Sequence, residues 1–313
     1  MQLEVIKCHG SGNKFIMVDM VADSAMVGDM AAFARQMCSH PDVEGADGIL
    51  YVVKVGDDYA MRMFNPDGSE AEMCGNGIRC VARLVQERYV AQREFTLRSG
   101  KGFYPITESE SVAENVKAYG VDIEVRLTSP DFGFMAEGDV EHIGKPIASL
   151  GEECFTALNL GNPHIVAAVD EISMERLTQI GEQVLSLGED FPRGINVSLY
   201  RKMEGNAIFV ATYERGAGIT YSCGTAMTAS STAATLLGLC REGEPIEVYN
   251  RGGKVRCLCR VADGRIVTRL MGNATYQWSA QVEWDGAQVV SLSRIHSYES
   301  EEQAYEAFLK TIQ

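Results

Sequence analysis

The chain has 313 residues, enough for two domains of ordinary size and far more than a disulfide-stapled miniprotein. Hydrophobic residues make up 46% and charged residues 23%, the balance of a folded, water-soluble chain. With 28 basic against 43 acidic residues the net charge is −15, a field that repels a phosphate backbone, so nucleic acid is not an expected partner.

The N-terminal run MQLEVIKCHGSGN lacks the apolar core and cleavage site of a signal peptide, which makes the cytoplasm the expected compartment. Leu3–Lys7, Phe15–Asp19, Ile49–Val55 and Tyr59–Phe64 are β-branched and aromatic runs that read as strands. Met26 to Cys38 has helical spacing. A turn follows at Asn65-Pro66-Asp67-Gly68. From Gly75 to Tyr89, Ile78, Val81, Ala82, Leu84 and Val85 form one helical stripe. Thr128-Ser129-Pro130 breaks the pattern and marks a join near Arg126–Asp131. Strands are then expected near Thr156–Leu160, His164–Val169, Ile195–Tyr200 and Ala207–Tyr213, with a surface helix near Ser173–Leu187. The longest uncharged stretch, Gly216 to Cys240, is long enough to span a membrane, but Ser, Thr and Gly dominate it. It reads as a loop and a buried helix starting near Gly224, and no membrane partner is expected. In the tail, Ser300 and Gln303 suggest a helix cap, and Ala304, Tyr305, Phe308, Leu309 and Ile312 an apolar face. That face is expected to pack on the body or on a second copy, as in a homodimer.

The two halves are related. An offset of 149 residues places Cys74-Gly75-Asn76-Gly77 on Cys223-Gly224-Thr225-Ala226, Gly12-Asn13 on Gly161-Asn162, and Phe15-Ile16-Met17-Val18 on His164-Ile165-Val166-Ala167. The same offset carries Gly45-Ala46-Asp47 onto Gly194-Ile195-Asn196, and Leu50 onto Leu199. The expected fold is therefore α+β, with two pseudo-symmetric repeat domains, each a mostly antiparallel sheet wrapped around a central helix, and an active site in the cleft between them. Residues 1–126 form the first repeat, completed by a late strand near 275–285. Residues 127–274 form the second, and 286–313 a C-terminal extension with a short helix.

Nine cysteines, an odd number with no regular spacing, fit a reducing compartment. Cys257 and Cys259 share one strand face, and no second pair completes a zinc set, so no metal is expected. Most of the nine read as buried apolar thiols. Cys74 and Cys223 differ, because each precedes an apolar helix whose first-turn N–H groups and dipole favour an anion. The same field favours the thiolate, and the following glycines let a ligand approach the backbone. A thiolate and a thiol on opposite sides of one carbon can remove a proton from one face and return one to the other. The helix ends would hold the adjacent carboxylate and its growing charge.

HGSGNKF, FNPDGSEAEMCGNGIRC, GNPH, GINVSLY and YERGAGITYSCGTAM together resemble the motifs of the diaminopimelate epimerase family, over residues from about 2 to 285. That resemblance implies an isomerase that needs no pyridoxal phosphate or other cofactor, and interconverts LL- and meso-diaminopimelate in lysine and peptidoglycan precursor synthesis. It implies that Cys74 and Cys223 are the acid/base pair, and that the N–H groups of Gly75, Asn76, Gly224 and Thr225 bind the reacting carboxylate. The distal amino-acid end would be held by Asn13, Asn65, Asn162, Asn196, Glu214 and Arg215. Arg215 is itself a fork for a carboxylate and Glu214 a partner for an ammonium. His164 would line the cleft or fill a core position. Lys14 stands where the family usually has an acidic residue, which leaves open a racemase of another amino acid, such as histidine. A non-catalytic amino-acid-binding or thiol redox protein is the alternative from a different class.

Overall fold

The structure, a computed structural model, describes residues 1–22 and 28–312. The chain is α+β and divides into two compact units, Met1–Val121 together with Met271–Gln313, and Asp122–Leu270. These boundaries fall a few residues before 126 and 274 because strands Val116–Val125 and Arg265–Asn273 each run through a transition.

In the first unit, strand Gln2–Gly10 pairs antiparallel with Asn13–Asp19 and, on its other side, with Thr275–Trp284. Asn13–Asp19 runs parallel to Gly48–Val55, which pairs antiparallel with Asp58–Phe64. Beyond these come Glu94–Ser99, Gly102–Ala113 and Val116–Val125. Alternate residues serve opposite faces. Leu3, Val5, Ile16, Val18, Ile49 and Tyr51 pack against Phe33, Ala34 and Met37 of α1 (Met30–Ser39). The other face, including Leu50, covers α2 (Gly75–Arg88), where a Cβ on Gly77 would lie 2.7 Å from Leu50 Cδ2. With both faces covered, these strands are continuous apolar runs, which is why they were legible. Helix α1 begins later than the expected Met26: Asp29 caps it by accepting from Ala32 N at 2.9 Å, and Met26 itself lies outside the described residues.

Helix α2 is buried on every side from Gly75 to Val85, not along one stripe. Arg79 and Arg83 are inside with it, and each is buried because its guanidinium is hydrogen-bonded.

The second unit repeats the order. Strand Cys154–Asn159 pairs antiparallel with Pro163–Ala168, which runs parallel to Asn196–Met203. Ala207–Glu214 follows antiparallel, then Ile246–Asn250 parallel and Gly253–Ala262 antiparallel. Helix α3 (Met174–Ser186) contributes Leu177, Ile180 and Val184 to a core with Ile165, Val197 and Leu199. Helix α4 (Gly224–Leu236) takes the place of α2. Its sequence is half hydroxyl residues, yet Gly224 to Ala234 are all buried. Several of the hydroxyls are satisfied locally, Thr228 donating to Gly224 O at 2.8 Å, Thr232 to Thr228 O at 2.8 Å and Thr235 to Ser231 O at 3.0 Å, while Ser230 Oγ has no partner among the described residues.

One strand departs from the 149-residue register. Phe64 and Tyr213 correspond, but Ile49 lies opposite Phe64 whereas Val197, not Ser198, lies opposite Tyr213. Asn196 is therefore the counterpart of Gly48 rather than of Asp47.

The tail adds a strand the sequence reading missed, Val289–Ser297, antiparallel to Thr275–Trp284. Helix α5 (Glu299–Ile312) follows. Ser300 is its second residue and cannot cap it; Tyr298 O receives the N–H groups of Glu301 and Glu302 instead. Among the described residues, no helix is long and apolar enough to cross a membrane.

Candidate active site

Cys74 is the N-cap residue of α2, in extended backbone geometry, and its sulfur accepts the Gly77 N–H at 3.4 Å. The N–H groups of Gly75 and Asn76 precede the first intrahelical bond and are the donors a carboxylate would use. Asn13 stands beside them. Its Oδ1 faces Cys74 Sγ at 3.9 Å and receives Asn76 Nδ2 at 3.3 Å. Its Nδ2 donates to Asp47 Oδ2 at 2.7 Å, and Asp47 Oδ2 also takes the Lys14 N–H at 2.7 Å. These bonds fix the Asn13 amide, with its oxygen toward the thiol. On the inner side, Arg79 donates to Asn76 Oδ1 at 3.1 Å, Gly75 O at 2.9 Å and Ser11 Oγ at 3.1 Å. Gly10 is needed here, since a Cβ would meet Asn76 O at 2.8 Å and Arg79 Nη2 at 2.9 Å.

Cys223 is the N-cap of α4 and is buried. Its sulfur lies 3.5 Å from Thr225 Oγ1. Thr225 Oγ1 receives Asn162 Nδ2 at 3.2 Å and lies 3.1 Å from His164 Nε2, which is also 3.1 Å from Asn162 Oδ1. His164 Nδ1 has no partner among the described residues. His164 Nε2 also lies 3.4 Å from Asn196 Nδ2, so this one ring nitrogen is shared among Asn162, Thr225 and Asn196. Burial, with the Arg215 charge second, pulls His164 down to about 3, so the ring is neutral. Asn196 Oδ1 receives the Arg215 N–H at 2.9 Å, and Arg215 Nη1 donates to Arg193 O at 2.8 Å. Gly194, at φ +69°, leaves room for that side chain, because a Cβ would lie 2.9 Å from Arg215 Cδ.

Two features go beyond the sequence reading. The helix end alone predicts a lowered thiol pKa, but burial and then the Glu214 carboxylate push Cys223 well above the ordinary thiol value, against the opposing pull of Thr225 and Ala226. Cys223 is therefore a protonated thiol. Glu214, expected at a distal ammonium, lies beside this sulfur and accepts from Thr220 Oγ1 at 2.5 Å. Asn65 is bonded within its own turn, donating to Ser69 Oγ at 3.0 Å. The structure brings Asn13 to Cys74 and Asn76, and Asn162, His164 and Thr225 to Cys223, whereas the sequence reading had assigned Asn13 and Asn162 to the distal end of the substrate. That reading missed Asp47 and Arg79 as members. The signals for them were Asp47 in the repeated Gly45-Ala46-Asp47 segment and an arginine inside GNGIRC.

The architecture is that of a known scaffold. A PhzF-family phenazine biosynthesis protein of Bacillus anthracis superposes with a TM-score of 0.64 at 16% identity, covering 91% of this chain and 100% of that one. A hydroxyproline epimerase of Agrobacterium vitis gives 0.59 at 15% identity, covering 100% and 98%. Likeness at that identity defines the fold. Sequence defines the family. The model of the family described as diaminopimelate epimerase matches residues 5–120 and 156–277. A diaminopimelate epimerase of Clostridium acetobutylicum is 35% identical over 315 residues, covering 99% of this chain and 94% of its own. One of Lactiplantibacillus plantarum is 34% identical, covering 100% and 99%. The chain belongs to the diaminopimelate epimerase family.

Proposed function

We propose that this chain, built from a duplicated domain (residues 1–126 and 127–274), epimerises LL- and meso-diaminopimelate by moving a proton between two cysteines. The observation that carries the reading is the matched pair of N-cap cysteines, each at the start of a helix buried through its first eleven residues and each with polar neighbours on its sulfur. The reaction requires the two sulfurs to reach opposite faces of one α-carbon. One, as thiolate, removes the α-proton; the other, as thiol, delivers a proton to the opposite face. Cys223, held protonated by burial and Glu214, is the donor in the resting protein. After that step Cys74 holds the abstracted proton and Cys223 is a thiolate, so the resting state returns when Cys74 gives up a proton to water and Cys223 regains one. The first-turn N–H groups of Gly75, Asn76, Gly224 and Thr225 hold the reacting carboxylate and the charge that grows on it as the α-carbon flattens. Asn13, Asn65, Asn162, Asn196 and Arg215 supply the polar lining, with Arg215 placed to clamp the distal carboxylate. His164 supports Thr225 without titrating.

The thiols carry the proton, so this chemistry calls for no cofactor. An odd number of cysteines with no regular spacing supports a cytoplasmic setting. A homodimer is the proposed assembly, which gel filtration tests. A racemase of another amino acid is the second reading, favoured by the exposed Lys14 next to Asn13. Incubation in D2O separates them. Solvent deuterium at Cα of diaminopimelate, with the second isomer appearing, supports the first reading. Exchange confined to histidine or another amino acid supports the second, and no exchange in any amino acid overturns both.

A further inference from the structure

The C-terminal helix touches the first cysteine's surroundings through a chain of hydrogen bonds that the sequence reading did not foresee. Glu302, on α5, places Oε2 3.1 Å from His9 Nε2, while its Oε1 receives Gln277 Nε2 at 2.9 Å. The carboxylate can only accept, so His9 Nε2 carries the proton and His9 Nδ1 is an acceptor. Two donors meet that lone pair: the Gly12 N–H at 3.4 Å and Asn273 Nδ2 at 3.3 Å. Asn273 Oδ1 in turn receives the Ser11 N–H at 2.8 Å. Ser11 and Gly12 both have left-handed backbone, at φ 53° and 79°, and form the turn that delivers Asn13. Ser11 adopts that conformation against its preference, so the turn depends on these side chains to hold it. The Tyr305 ring, also on α5, packs on His9 with centroids 4.8 Å apart. His9 is 2% exposed, leaving little water to replace a lost partner.

We infer that Glu302 is a positioning residue for Cys74: by fixing the His9 tautomer it holds the Ser11–Gly12 turn, and the turn sets the Asn13 oxygen against the Cys74 thiol. Asn13 Oδ1 can accept only from the protonated sulfur, so it stabilises the thiol over the thiolate. Loosening the turn removes that acceptor and makes Cys74 more acidic. Helix α5 thus tunes the first thiol from a segment outside the repeat. The role of the tuning in turnover rests on the epimerase reading above, but the tuning itself does not.

The experiment reads the sulfur directly, without any substrate. Full-length protein is alkylated with iodoacetamide across a range of pH, and Cys74 modification is followed by peptide mass spectrometry. Glu302→Ala is expected to move the Cys74 midpoint downward by about half to one pH unit, a rise of roughly three- to tenfold in rate below the midpoint. Glu302→Gln, whose amide oxygen still accepts from His9, is expected to keep the wild-type profile. If Glu302→Ala melts at lower temperature but titrates Cys74 as wild type does, the helix is only a structural cover and the inference fails. Should Glu302→Ala not fold, His9→Gln breaks the chain at its next member, and an unshifted Cys74 profile there overturns it equally. A shifted profile in a protein that exchanges no amino-acid α-proton would uphold the tuning and sink the epimerase reading alone.

Discussion

His164 Nε2 and Thr225 Oγ1 lie 3.1 Å apart, and that contact ties strand Pro163–Ala168 to the first turn of α4. It holds the Thr225 hydroxyl 3.5 Å from the second cysteine's sulfur. The first cysteine has a different neighbour. Asn13 turns an oxygen toward Cys74, which accepts from the thiol and offers nothing to a thiolate. The repeat-related pair is thus chemically unlike, and each prediction below tests one part of that difference.

Cys74→Ala and Cys223→Ala should each lower epimerisation by about 100- to 10,000-fold, since neither thiol can deliver the other's proton. Steady-state turnover from both isomers, with circular dichroism to confirm folding, is the measurement. Near wild-type rates in both directions for either variant would end the two-cysteine mechanism. Cys154→Ala, at an exposed sulfur outside the repeated motifs, should be silent.

His164 makes stability depend on pH. Its native value of about 3 lies below the ordinary 6.5, so between those values the unfolded chain binds a proton that the native chain does not. The contribution is complete above about pH 6.5 and is lost as the pH falls toward 3, at roughly 1.4 kcal/mol per unit. Urea unfolding at about pH 7 and pH 4.5 should show a loss about 2–3 kcal/mol larger in wild type than in His164→Gln. Equal losses in the two proteins would show that this histidine is protonated in the native state.

Arg215→Met should leave a distal carboxylate without its partner and cost about 2–5 kcal/mol in kcat/KM for diaminopimelate. Amino acids lacking a second carboxylate should be unaffected by the change. Full activity on diaminopimelate would remove Arg215 from substrate recognition.

Glu301→Ala should destabilise the first unit by about 1.5–3 kcal/mol, because it removes two charged hydrogen bonds from buried Arg83 while Glu87 keeps its Nε at 2.9 Å. Glu301 grips Arg83 with both oxygens, at 2.5 and 3.0 Å, and Arg83 stacks 3.6 Å over the Tyr276 ring. Denaturant midpoints check this. A loss under 1 kcal/mol would mean that water or another carboxylate takes over.

Chain pattern made the two cysteines legible, because each opens an apolar stretch and an offset of 149 relates them. It also revealed the central strands, whose runs are apolar on both faces. What stayed hidden depends on pairing across distance. Arg79 and Arg83 look like the polar side of a surface helix until Ser11, Ala274 and Glu301 arrive from remote segments. The contact of Glu214 with the Cys223 sulfur was hidden for a similar reason: it forms only where the Gly218–Thr220 strand folds back beside Ala207–Glu214. The register slip at Gly48–Val55 was invisible because Leu50 and Leu199 happen to match at the wrong offset.

That slip means the halves are no longer interchangeable parts. Asp47 anchors Asn13 in the first unit, whereas Asn196 reaches His164 and the Arg215 backbone in the second. A chimaera carrying the first half twice would have two capped cysteines but neither Glu214 nor Arg215, and one carrying the second half twice would lack the Asp47 clamp. Descent from a symmetric ancestor therefore cannot be retraced by copying either half today; the substitutions that broke the symmetry would have to be reversed as well.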